Sequence, residues 1–362
     1  MRTLTIGLGV AAAVVIGAQG LLGQSDDTPF HVRGERGELV HVLPPPALAH
    51  NNSDRNQVFA PASDTPQVFS ASYGSGNVID HGGNEISGAQ VQAIFWNSDL
   101  AGDGSTSLGY PNLESEIDAF LTRYGTGSSG PYPADATSDY SLIQQYGSPS
   151  PINPGFGIFA KDFVDPSNGT SSGTPTNPFT DTMIQTYLSG LFSRGVTASS
   201  SVIYAIYFPK GATIQLSSSK SCTSFCGYHN HYTDPVSGLQ IKYAVFPYLN
   251  CTGCTIAGDS LADMLTIVSS HEIRESVTDP GDDNVNAWYD RRGYEADDKC
   301  AWHNLYQMAP GGTKGNGGFM VQPEYSNGGT SLLPNVSGIT FPGPGCVVPF
   351  STGGPPPKKH GK

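Results

Sequence analysis

Read for hydrophobic period, the chain divides into short apolar runs and amphipathic stretches. Residues 91–96, VQAIFW, are a continuous β-rich apolar run and predict a buried strand. Residues 112–124, NLESEIDAFLTRY, put Leu113, Ile117, Phe120 and Leu121 at helical spacing with acids in the first turn, so they predict a helix. GIFAKDFV at 157–164 reads as strand, Asp181 to Arg194 as a second amphipathic helix, and VIYAIYF (202–208) and IKYAVFPY (241–248) as two buried strands. A third helix opens on Ser260-Leu261-Ala262-Asp263, a capping box. Its apolar stripe is Leu261, Met264, Leu265, Val268 and Ile273, and it runs to about Thr278, because Pro280 cannot continue it. The order predicts an α+β fold, loop-rich, in one domain spanning residues 81–348.

The flanks carry little period. Residues 1–20 combine Arg2 with an apolar run and a small-x-small site at Ala18 and Gly20, the pattern of a secretory signal. That run is shorter than the roughly 20 residues a spanning helix needs, and no later stretch is apolar enough, so no membrane span is expected after cleavage. Residues 21–80 read as a low-complexity linker or propeptide, and residues 349–362 as a disordered tail.

Composition sharpens this. Only 14% of the 362 residues are charged and the formal net charge is −13, which offers no route to a phosphate backbone and excludes nucleic acid as a partner. The six cysteines, Cys222, Cys226, Cys251, Cys254, Cys300 and Cys346, read as disulfides in an exported chain, ahead of a structural zinc on the first four. Spacing does not fix the pairing; Cys300 with Cys346, and the other four locally, is the expectation. The protein is expected outside the cell or in a periplasm.

The candidate chemistry sits in IVSSHEIRESVTDP, residues 267–280. His271-Glu272 opens like the H-E-x-x-H zinc signature, with Glu275 where the second histidine would stand. Residues four apart share a helix face, so His271 and Glu275 can grip one ion. Glu295 is the first candidate for a third ligand, then Asp279 or Asp298. Glu272 is the candidate general base, and His229 or Tyr294 the candidate oxyanion partner. A histidine donor argues for zinc; calcium is the alternative, as a structural ion pinning the acidic loop that also holds Asp282 and Asp283. His229 and His231, at i and i+2, point to one side of a strand. Gly258-Asp259-Ser260-Leu261 spells the GDSL of a serine-esterase family, but Ser260 is better explained as a helix cap.

Taken in order, several stretches resemble the EXORDIUM or phosphate-induced proteins. They are His81-Gly82-Gly83, Ile86-Ser87-Gly88 and Val91 to Trp96; Val202 to Phe208 with Cys222 and Cys226-Gly227-Tyr228-His229; Tyr243 to Cys254; Val277-Thr278-Asp279-Pro280; and Trp288-Tyr289 through Glu295 to Cys300. The resemblance implies the fold and export. It departs at His271-Glu272, which the plant members do not carry, so it implies nothing about catalysis. The strand and helix order also resembles metalloproteases of the zincin type, a twisted sheet with a metal-bearing helix. The expectation is a secreted zinc-dependent metallohydrolase, a peptidase, acting on a peptide or cell-surface polymer. The alternative is a non-catalytic extracellular or wall-associated protein that binds a glycan or protein partner. Oligomeric state is not legible.

Overall fold

The computed structural model describes residues 29–49, 58–61, 63, 65–103, 110–126, 140–148, 152–168, 178–281, 287–308, 318–333 and 337–349. The expected signal segment and residues 350–362 of the tail lie outside them, as do Asp282 and Asp283.

An eight-stranded mixed sheet forms the frame. Its strands are β1 (His31–Arg33), β2 (Leu39–Leu43), β3 (Gln90–Phe95), β4 (Gly157–Ile158), β5 (Phe163–Val164), β6 (Val202–Tyr207), β7 (Gly227–Thr233) and β8 (Gln240–Phe246). They run in the order β1-β2-β7-β8-β6-β3-β4, with β5 also on β3. The half from β8 to β5 is parallel, and β7, β2 and β1 add antiparallel. VIYAIY of β6 is buried at every position, as a parallel strand covered on both faces must be.

Helices cover both faces. On one lies α2 (Asp181–Phe192), whose buried Asp181 accepts hydrogen bonds from the Tyr228 and Tyr243 hydroxyls, each at 2.8 Å. On the other lie α1 (Leu113–Thr126) and α3 (Leu261–Thr278); Tyr207 shares a 3.0 Å hydrogen bond with Ser269, and the Tyr124 hydroxyl donates to the Ser270 carbonyl. Alternation along β7 therefore sends Tyr228, Asn230 and Tyr232 towards α2, and His229 and His231 to the side of α3. The fold is α+β, loop-rich and stapled by three disulfides, Cys222–Cys251, Cys226–Cys254 and Cys300–Cys346. With all six cysteines oxidised, none is left for a zinc site. No helix of the described residues is long and apolar enough to cross a membrane.

Two expectations need correction. The domain does not begin at residue 81. Residues 31–43 are the hairpin that extends the central sheet, Gln67–Phe69 pairs with Gly345–Val348, and Ile79–Asp80 pairs with Trp288–Tyr289. These strands are too short and polar to show a period, and their partners lie far along the chain. Helix α3, read as amphipathic with one stripe, is instead buried at all 18 positions. The sheet covers one side, and the segments around Met320–Val321 and Glu324–Ser326 cover the other. Two of its hydroxyls bond to that cover: Thr266 donates to the Met320 carbonyl at 2.7 Å, and Ser270 Oγ accepts the Gln322 N–H at 3.1 Å.

Gly227 marks the closest approach of β7 to α3. A Cβ there would lie 2.4 Å from Val268 Cγ1 and 3.1 Å from Glu272 Oε1. Gly227→Ala is expected to lower stability by about 1–3 kcal/mol through overpacking, read by thermal or urea denaturation. At the other end of the sheet Arg194 grips Asp165 with two bonds, of 2.9 and 3.0 Å. Burial opposes the charge on Asp165, but Arg194 and the Ser167 hydroxyl and N–H together hold its carboxyl below the ordinary range. A depressed carboxylate stabilises above its unfolded pKa of about 3.9 and loses that contribution as pH falls through the folded value. Asp165→Asn should therefore destabilise at pH 7, with the difference vanishing towards pH 2 in paired urea titrations.

Candidate metal centre

The capping box is formed as the sequence requires: Asp263 N donates to Ser260 Oγ at 3.1 Å, and Ser260 N donates to Asp263 Oδ2 at 2.9 Å. Ser260 is thus a helix cap. From that start α3 carries His271, Glu272 and Glu275 to its C-terminal turns, all fully buried. The loop after it returns through Glu295 and the short 3₁₀ turn Asp298–Cys300. The Asp298 N–H donates to Glu275 Oε1 at 3.1 Å, and the Glu295 N–H donates to Asp298 Oδ2 at 3.2 Å. These two backbone bonds fix the carboxylates and leave Glu275 Oε2 and Asp298 Oδ1 turned inward.

His271 Nε2 lies 3.0 Å from Glu275 Oε2 and 3.8 Å from Asp298 Oδ1. Yet Nε2 makes no hydrogen bond, and neither does Asp298 Oδ1. The contact is close but not directed along an N–H, whereas a hydrogen bond weakens steeply off line. Atoms that share one ion behave this way: at zinc distances of about 2.0–2.2 Å, tetrahedral neighbours sit roughly 3.3 Å apart with their lone pairs converging. His271 Nδ1 is 2.9 Å from the Gln322 amide nitrogen, which also donates to the Asp297 carbonyl at 2.9 Å, so this residue behind the ring sets its orientation.

Glu272 is held differently. His229 Nδ1 is hydrogen-bonded to Glu272 Oε2 at 3.2 Å and lies 3.7 Å from Glu275 Oε2. Glu272 Oε1 has no partner. Beside this, β2 brings in His41, whose Nδ1 is 2.8 Å from Glu295 Oε2. Three overlapping groups result, each with ligand atoms within 4.8 Å: His229–Glu272–Glu275, His271–Glu275–Asp298 and His41–Glu295–Asp298.

The electrostatics follow from burial without lysine or arginine. Burial, with His41 nearby, depresses His229 to about 3 against the pull of Asp279, and burial lowers His271 too, so both rings are neutral. Burial pushes Glu272 up to about 7 against the pull of His271. Burial raises Glu275, reinforced by Glu295 and Glu272; it raises Glu295, reinforced by Asp279 and Asp298; and it raises Asp298, reinforced by Glu275. Carboxylates crowded in this way need either protons or a cation. Neutral imidazoles with carboxylates are a donor set suited to zinc.

Of the residues anticipated from sequence, the structure gathers His271, Glu272, Glu275, Asp298, Glu295 and His229. Asp298, rather than Glu295, shares a group with His271 and Glu275; Glu295 reaches Asp298 and His41 instead. Asp279 enters none of the groups: it caps α3 and accepts the Ala287 N–H at 3.2 Å, while its charge acts on His229 and Glu295 from beside the cluster. The Tyr294 ring packs on Phe30 and Tyr73. Arg274 is buried between Asp297 and Glu324 beneath the Tyr124 ring. His41 and Gln322 were missed; the only signal for His41 was a polar residue within the apolar alternation LVHVL.

A cleft of about 520 Å³ opens over this cluster, lined among others by Arg36, His41, His229, His231 and Asp279. His41 and His229 line it, and Glu272 and Glu275 do not. No protein-family model, curated protein or solved structure matches the chain, so the likeness to the EXORDIUM proteins rests on the motifs alone. Removing Arg274 leaves Asp297 and Glu324 uncompensated in the interior. Arg274→Ala is expected to cost about 3–5 kcal/mol, measured by denaturant unfolding, against less than half of that for the exposed Arg291→Ala.

Proposed function

We propose that the protein is a secreted metal-dependent hydrolase, a peptidase of zincin-like plan, with zinc held by His271, Glu275 and Asp298. The observation that carries this reading is the buried His271 Nε2, 3.0 Å from Glu275 Oε2 and not aligned to it as a hydrogen bond. The disulfides and the signal-like first residues support export. Zinc at such a site supplies Lewis-acid polarisation of the scissile carbonyl. Glu272 takes the proton of the attacking water, with the unpartnered Oε1 as the accepting atom. His229 holds the other oxygen, Oε2, and so orients the base. Glu275 is kept in register by the Asp298 N–H. The cleft above His41 and His229 admits an extended peptide or a polymer strand.

Glu272→Gln is expected to retain the metal and lose at least 100-fold in turnover on a general casein or peptide substrate, while His271→Ala and Glu275→Ala lose the metal itself. Unchanged turnover in Glu272→Gln would sink this mechanism. One observation favours a second reading. The Gln322 amide, as oriented, donates to both the Asp297 carbonyl and His271 Nδ1, which puts the His271 proton on Nε2. In that state the cluster shares protons and the chain is a non-catalytic extracellular binding protein. Elemental analysis that finds no transition metal, together with no turnover by the unmodified protein, would select it.

A further inference from the structure

We propose that the cluster binds two divalent cations bridged by Asp298, the first among His271, Glu275 and Asp298 and the second among Asp298, Glu295 and His41. The inference rests on reading the cluster as a metal centre and adds to it a second ion and a ligand, His41, from the N-terminal hairpin.

Three observations carry it. The first is overlap. His271–Glu275–Asp298 and His41–Glu295–Asp298 are each compact enough for one ion, and Asp298 belongs to both. A bridging carboxylate of this kind sets two metals about 3.5–4 Å apart. The second is the state of Glu295. Neither of its buried oxygens accepts a hydrogen bond, although His41 Nδ1 stands 2.8 Å from Oε2. The same misaligned closeness marks His271 and Glu275. His229 and Glu272, by contrast, form a true hydrogen bond and need no ion between them.

The third is charge. Glu272, Glu275, Glu295 and Asp298 are all buried, and no lysine or arginine of the described residues pairs with any of them. Arg274 is committed to Asp297, and Lys299 to Asp290. One divalent cation leaves a formal charge of −2 among the four; two leave none. The interior strongly disfavours the former.

The donors also define the second ion. One imidazole and two carboxylates select a first-row divalent metal such as zinc over calcium, which takes oxygen donors. His41 lines the cleft, whereas His271, Glu275 and Asp298 do not. The second ion is therefore the one with a ligand at the cleft surface.

The test is zinc stoichiometry of the full chain, loaded with zinc, desalted and measured by elemental mass spectrometry, with folding checked by circular dichroism. Two zinc ions per chain are expected in the unmodified protein, and one in each of His41→Ala and the shape-conserving Glu295→Gln. One zinc in the unmodified protein, retained in both variants, overturns the second site and leaves the single-metal hydrolase standing. Two ions that survive both substitutions lie elsewhere and overturn it equally. No zinc at all removes the metal-centre reading along with it. Should His41→Ala fail to fold, the count in the unmodified protein and in Glu295→Gln decides.

Discussion

Burying carboxylates is the constraint that organises this molecule. The C-terminal turns of α3 and the loop after it crowd four acidic side chains where water does not reach. Each is tied in place by something other than a positive side chain: a backbone N–H, an imidazole, or a neighbouring acid. Such an arrangement is expensive in an interior of low polarizability unless a proton or metal ion offsets it. The surrounding frame is built to withstand that cost. The helix is covered on every side, its hydroxyls bond back to backbone carbonyls, and Arg274 neutralises Asp297 just behind the cluster.

The two faces of β7 show how the sheet serves this end. Tyr228 and Asn230 anchor on Asp181, a buried acid satisfied entirely by hydroxyl and amide donors. His229, one residue along, is delivered to Glu272 on the opposite face. Disulfides Cys222–Cys251 and Cys226–Cys254 tie the approach to β7 to the approach to α3. The strand that supplies an imidazole and the helix that supplies the carboxylates are thus fastened near their starts.

Much of this was legible because it is local. The apolar runs at 202–208 and 241–248 became β6 and β8, the capping box at Ser260 set the start of α3, and the loop acids Glu295 and Asp298 lay close behind the H-E pair. What was not legible depends on chain segments far apart. His41 meets Glu295 across some 250 residues, and nothing in LVHVL reports that its histidine faces another strand's partners. Strands of two or three residues, such as Gln67–Phe69, carry too few positions to show alternation. The all-round burial of α3 was hidden as well, because its polar residues suggest a wet face and their partners, Met320 and Gln322, follow some fifty residues later.

The hairpin of β1 and β2 is at once an edge of the central sheet, a wall of the cleft and the source of His41. Proteolysis between it and the remainder of the chain would therefore not act as simple trimming. A fragment held without a covalent link, by the register of Gly227 with Leu43 and Tyr228 with Val42 and by the packing of Phe30 on Tyr73 and Tyr294, would become a separable subunit carrying one imidazole of the cluster. Occupancy of the cluster would then depend on protein concentration as well as on the supply of metal.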